Sequence, residues 1–215
     1  MIEGLLVVLE GIDGAGTTTQ TELLARALGR RGLAVHATRE PSDGPIGALL
    51  RQVLSGRMVV PGDHGPRAPG WSTMALLFAA DRLDHLQAEI LPNLRDGVTV
   101  LCDRYVASSV AYQGLTEGSP SVVDWVLTVN RHARVPDLTL VLDVSPEEAA
   151  RRRARRSGRP ELYEEEALQQ RLAHFYKDID KHFPGHRLRH LDGHLPVEAL
   201  HQEVLRAVDE LRARG

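Results

Sequence analysis

The chain has 215 residues, 42% hydrophobic and 26% charged, with a formal net charge of −3. That length buries one substantial core and fits one large domain better than two small ones, and the near-neutral balance speaks against a protein that coats nucleic acid. The single cysteine, Cys102, excludes an internal disulfide framework, and LLVVL at 5–9 is too short and lacks the basic leader of a signal peptide, so a soluble cytoplasmic protein with no membrane partner is expected.

Residues 5–10 (LLVVLE) read as a buried strand, short, apolar and stopped by Gly11. Residues 18–31 have helical spacing, with Leu23, Leu24, Ala27 and Leu28 on one side and Gly32 as the stop. A second short strand is expected at 34–38 and a helix at 46–54. The stretch 61–70 (PGDHGPRAPG) is dense in breakers and forms a loop. A long helix follows over 71–94, bent near Pro92. Strands are expected at 98–103 (VTVLCD) and 138–143 (LTLVLD). A helix from Pro146 runs into an arginine-rich stretch ending near Gly158. Residues 162–182 read as helix, 187–191 as a weaker strand and 196–214 as a closing amphipathic helix. Strands alternate with helices throughout, and the clearest strands are apolar on both faces. This is the pattern of a parallel sheet covered on each side, a doubly wound α/β fold.

In such a sheet ligands sit beyond the C-terminal strand ends. GIDGAGTT, running through Gly11, Ile12, Asp13, Gly14, Ala15, Gly16, Thr17 and Thr18 with Thr19 next, occupies that place after the first strand. It matches the phosphate-loop pattern G-x-x-x-x-G-K-[ST] at every defined position except the lysine, which is Thr17. Glycines let backbone amides turn inward around phosphate oxygens, and the helix N-terminus adds its positive end. Thr18 would place its hydroxyl on Mg²⁺. The competing reading is a glycine-rich turn that only caps a helix. Of the 26 basic residues only Lys177 and Lys181 are lysine, so any cation near the loop is expected to be a guanidinium.

EGIDGAG at 10–16, TREP at 38–41, FAADR at 78–82, DRYVASSVAYQG at 103–114 and PDLTLVLDVSPE at 136–147 fit one family in order and spacing. By these words the sequence resembles the thymidylate kinases, which transfer the γ-phosphoryl of ATP to dTMP. The resemblance covers nearly the whole chain. It implies the P-loop nucleoside monophosphate kinase fold, a five-stranded parallel sheet with helices on both faces and a lid at about 150–163. It also implies ATP as co-substrate with Mg²⁺, and a homodimer by family analogy.

The resemblance assigns roles by position. Arg104 would grip the dTMP phosphate with a planar fork that suits phosphate oxygens. Asp103 would orient Mg²⁺ or, as readily, pair a neighbouring arginine. Asp143 is read as structural. Phe78 and Arg82, one helical turn apart, share a face; the family pattern stacks the ring on thymine and bonds the arginine to a base oxygen. Arg51 matches a further base-side arginine, with a solvated helix face as its competitor. Ser109, Tyr112 and Gln113 would contact base and sugar, the tyrosine crowding a 2′-hydroxyl. Asp13 matches a carboxylate near the 3′-hydroxyl of the acceptor. In the arginine-rich stretch, Arg152, Arg156 and Arg159 recur at helical spacing, and the family places catalytic lid arginines here in one bacterial branch. Two departures stand out: Thr17 for the lysine, and ELYE at 161–164 where an Asp-Arg pair is usual. A kinase for another nucleoside monophosphate and a non-catalytic nucleotide-binding protein are the rivals. The first differs in its acceptor, and the second binds nucleotide without forming ADP.

Overall fold

The computed structural model describes residues 4–117, 119–155 and 166–213. Five strands form one parallel sheet in the order β2-β3-β1-β4-β5. They are β1 (Leu6–Glu10), β2 (Val35–Arg39), β3 (Thr99–Asp103), β4 (Leu138–Asp143) and β5 (Leu188–Asp192). β1 and β3, entirely buried, stand side by side with Leu9 in register with Asp103. From β1 the chain crosses to β2 on one side, and from β3 it crosses to β4 on the other. The β1–β3 pair is therefore the point where the winding reverses, and the loops after both strands open into one crevice.

Alternation along β1 assigns each residue to a face. Val7 and Leu9 pack with Leu24 and Leu28 of α1 (Thr17–Arg30), whereas Leu6 and Val8 pack with Leu86, Ile90 and Leu94. Both faces are thus covered by helices, which is why the central strands read as continuous apolar runs. The remaining helices are α2 (Pro45–Leu54), α3 (Trp71–His85), α4 (Leu91–Arg95), α5 (Val106–Glu117), α6 (Pro120–Val129), α7 (Pro146–Ala154), α8 (Glu166–Lys177) and α9 (Val197–Arg212). Among the described residues no helix is long and apolar enough to cross a membrane.

Most expected elements lie within a residue or two of their places, but the described part of the helix expected over 162–182 is α8 followed by a 3₁₀ turn, Ile179–His182, and other differences follow. The helix expected over 71–94 is α3 and α4 joined by a π-helical turn, Leu86–Ile90, and it is there rather than at Pro92 that the ladder changes. Pro92 has no N–H to give and its ring crowds the carbonyl four residues back, so the chain widens just upstream, with the Leu91 N–H bonding Leu86 O. Helix α6 is unforeseen. Its PSVVDWVLTV sequence is rich in β-branched residues, but Val122, Val123 and Val126 bury one face against the core. The breaker-rich loop is closed by an antiparallel bridge between Val60 and Arg67, with N–H···O distances of 2.8 and 3.0 Å. Helix α7 runs from Pro146 to Ala154, and the remainder of the arginine-rich stretch from 156 to Gly158 lies outside the described residues.

The edge strand β5 is tied down by His190. Its Nδ1 lies 2.8 Å from Asp143 Oδ2 and its Nε2 lies 2.9 Å from Asp180 Oδ1. The hydrogen bond to Asp143 raises its pKa to about 9, against burial that lowers it and with help from Asp180. A histidine whose folded pKa exceeds its ordinary 6.5 stabilises fully below 6.5, and that contribution disappears as pH rises through about 9. The melting temperature should therefore fall between these pH values, and His190→Asn should flatten the fall. An equal slope in the variant contradicts this role.

Candidate active site

The loop after β1 turns twice on left-handed glycines, Gly14 at φ 95° and Gly16 at φ 101°, and enters α1 at the buried Thr17. Gly16 caps α1 without a side-chain hydrogen bond, and no acidic residue stands in the first turn. The amides and the positive end of α1 are thus not neutralised by the helix itself, which is the condition for binding an anion. Gly14 has a second reason to be glycine. A Cβ there would lie 2.5 Å from the carbonyl oxygen of Ala149, so the loop packs directly on the backbone of α7.

Beside the loop, the turn after β3 puts Arg104 at φ 71°, a left-handed conformation that costs energy for a side-chain-bearing residue. Arg104 Nη2 donates to Asp13 Oδ1 at 2.6 Å and its Nη1 donates to Gly11 O at 2.9 Å. Its guanidinium lies 5.3 Å from the centre of the Tyr112 ring. Gln169 of α8 donates to the other oxygen of Asp13 at 3.1 Å. Below this turn Glu10 is fully buried, accepting from Tyr105 N, Ser108 N, Ser108 Oγ and Tyr176 Oη at 2.6–3.1 Å. Burial raises its pKa, partly offset by these donors and by Arg104. Burial also raises the hydroxyls of Tyr112 and Tyr176 and the thiol of Cys102, which stay neutral.

Asp13, Thr18 and Arg104 form one wall of a cavity of about 290 Å³. Phe78, Arg82, Ser109, Tyr112 and Gln113 line the remainder together with Glu40 and Pro41. A larger cleft of about 590 Å³ lies against α8 and the ends of β4 and β5. Ile12 alone of the loop reaches it, so the smaller cavity is the one where chemistry gathers. There, Thr18 Oγ1 donates to Asp103 Oδ2 at 2.5 Å, and Asp103 Oδ1 is buried with no hydrogen-bond partner among the described residues. An orphaned carboxylate oxygen beside a hydroxyl is a hard-oxygen donor set that fits Mg²⁺.

The family model described as thymidylate kinase matches residues 9–204. The chain belongs to the thymidylate kinase family. It is 36% identical over 210 residues to a probable thymidylate kinase of Pyrococcus horikoshii, covering 96% of this chain and 97% of that one. A thymidylate kinase of Pelotomaculum thermopropionicum is 37% identical over 215 residues, covering 98% and 95%. One of Ruegeria pomeroyi is 37% identical over 207 residues, covering 95% and 94%.

Among the residues that the thymidylate kinase pattern points to, the structure gathers Asp13, Phe78, Arg82, Arg104, Ser109, Tyr112 and Gln113 around the cavity. Arg51 does not line it. Its Nη1 donates to the Pro41 and Ser42 carbonyls, holding the 40–42 turn. Arg82 is a wall rather than an open hook: its side chain is 1% exposed and donates to Glu40 Oε2 at 2.6 Å, to Ser109 Oγ at 3.1 Å and to Asn130 Oδ1, leaving Nε unpartnered. Asp143 pairs with His190 and lines the larger cleft. Arg152 donates to Glu148 at 2.8 Å, to Gly193 O at 2.8 Å and to Ala15 O at 3.3 Å. Arg156, Arg159 and the 161–164 stretch lie outside the described residues. Four contributors escaped the sequence: Glu40, Asn130, Gln169 and Arg153. The TREP word carries Glu40, but nothing in it announces the partner 42 residues away.

That partner makes a stability prediction. Removing one member of a buried ion pair leaves an uncompensated charge and costs about 3–5 kcal/mol. Glu40→Ala should therefore lower the unfolding free energy by about that much in a denaturant titration. Glu22→Ala, which breaks a pair exposed by 60% and 66%, should cost under about 0.5 kcal/mol. Similar small losses in both contradict a buried charge at Arg82.

Proposed function

We propose that this thymidylate kinase transfers the γ-phosphoryl group of ATP to dTMP, giving dTDP and ADP, by in-line displacement without a covalent enzyme intermediate. The observation that carries this reading is the sharing of Asp13 and Thr18 between the phosphate loop and the wall of the acceptor cavity. A nucleotide seated in that cavity has its phosphate beside the site of the transferable group. The loop amides and the N-terminus of α1 bind the donor phosphates. Arg104 turns its fork from Asp13 toward the acceptor phosphate, and Asp13, so released, accepts from the 3′-hydroxyl. Phe78 faces the base, the Nε–H of Arg82 and the amide of Gln113 supply polar edges, and Tyr112 crowds the 2′ position. Thr18 and Asp103 would hold Mg²⁺, which when bound neutralises charge on the phosphates. The chain acts as one catalytic domain with a lid at about 150–163. Cytoplasmic placement and a homodimer belong to the same reading by family analogy.

A coupled ADP-release assay with dTMP, dUMP, CMP and AMP tests it. ADP should form with dTMP and far less with the others. ADP formation on another acceptor, or none at all, contradicts dTMP phosphorylation. Asp103→Asn removes a charged metal-side oxygen, and its turnover should fall by on the order of 10²-fold or more, with more Mg²⁺ needed for half-maximal rate. Unchanged Mg²⁺ dependence contradicts a metal-side role for Asp103.

A further inference from the structure

Thr17 ends in a neutral hydroxyl where the loop pattern places an ammonium on the β- and γ-phosphates. Among the described residues, three guanidinium groups hydrogen-bond the backbone of the loop: Arg104 at Gly11 O (2.9 Å), Arg152 at Ala15 O (3.3 Å) and Arg153 at Asp13 O (2.5 Å). Their charges are not equally available. Arg104 is paired with the Asp13 carboxylate at 2.6 Å, and Arg152 with Glu148 at 2.8 Å. Arg153 touches only a carbonyl oxygen and meets no carboxylate among the described residues. One of its five N–H donors is occupied, so its charge and four donors are left for an anion.

The placement follows from α7. Ala149 is the residue whose carbonyl presses on Gly14. Residue 153 lies one helical turn further on and on the same face, so its side chain is carried to the loop by that backbone contact. A lysine at position 17 would bring its cation from α1, whereas Arg153 brings one from across the crevice.

We infer that Arg153 is the phosphate-binding cation that replaces the missing loop lysine, taking β- and γ-phosphate oxygens of the bound nucleoside triphosphate. This rests on the phosphotransferase reading above, and the test separates the two. The affinity of a non-hydrolysable ATP analogue with Mg²⁺, and separately of dTMP, is measured by calorimetry for the parent, R153Q, T17K and T17K/R153Q. Turnover with ATP and dTMP is followed alongside. R153Q removes the charge together with the terminal fork that reaches Asp13 O, so its melting temperature and dTMP affinity are read beside the analogue affinity. It should weaken the analogue about tenfold or more and cut turnover by on the order of 10²-fold, with dTMP affinity within about threefold of the parent. T17K/R153Q should recover most of the analogue affinity, because the ammonium returns from the other side. Analogue affinity in R153Q within about threefold of the parent overturns the inference. So does a loss that T17K leaves in place in a variant whose melting temperature and dTMP affinity match the parent's. If R153Q unfolds, R153K takes its place and should keep near-parental analogue affinity; a tenfold loss there overturns the inference as well. A parent that binds the analogue but makes no dTDP contradicts dTMP phosphorylation and leaves the analogue comparison standing.

Discussion

The Glu10 carboxylate lies where β1, the N-terminus of α5 and the end of α8 meet, and it accepts hydrogen bonds from Tyr105, Ser108 and Tyr176 there. A buried carboxylate with too few donors would protonate or destabilise the fold, whereas one that caps the first amides of a helix stabilises both. The cap fixes the distance between the end of β1, where the glycine-rich loop starts, and the turn carrying Arg104. The strained backbone of Arg104 is paid for by this arrangement, since its own N–H bonds Leu9 O at 2.9 Å and the next residue's N–H bonds Glu10. Loop and turn are thereby one unit, and Asp13 and Arg104 meet across it at 2.6 Å.

At the cavity beside the loop a second buried charge performs a similar service. Glu40 holds Arg82 with one oxygen, and the other lies 3.5 Å from His85 Nδ1. Burial lowers the pKa of His85, but Glu40, Glu89 and Asp81 outweigh it and the net shift is upward. This pre-orders the wall against which a base would lie. The glycine-rich loop is organised differently: the guanidinium groups that bond its backbone come from the turn after β3 and from α7 rather than from α1.

How much of this the sequence carried depends on the range of each interaction. Strands β1, β3 and β4 and the glycine-rich loop were legible because they rest on local patterns: apolar runs of five or six residues and the spacing of Gly11, Gly14 and Gly16. The cavity residues were legible only through family words, since Phe78 or Tyr112 alone reads as core. Helix α6 was hidden by its valines, whose local preference is overridden by burial of Val122, Val123 and Val126. The π-helical turn was displaced from Pro92 because proline perturbs the ladder upstream of itself. Arg51 was matched to the base side by position alone, and its bonds to the carbonyls of the neighbouring turn had no signal in the sequence. Arg153 was not singled out because spacing along a helix says neither which residues reach the loop nor which are paired; Arg152 and Arg153 both reach it, and only Arg152 is paired, with Glu148. The contact of Ala149 with Gly14 is what brings that end of α7 to the loop.

The most direct measurement is a crystal structure with a bisubstrate analogue joining adenosine and thymidine through a polyphosphate, with Mg²⁺ present. The guanidinium of Arg153 should lie within hydrogen-bond distance, about 2.7–3.2 Å, of the oxygens corresponding to the β- or γ-phosphate, with the thymidine in the cavity lined by Phe78 and Arg82. Phosphate oxygens met only by backbone amides and the metal, with Arg153 still on the Asp13 carbonyl, would contradict the replacement of an ammonium by a guanidinium.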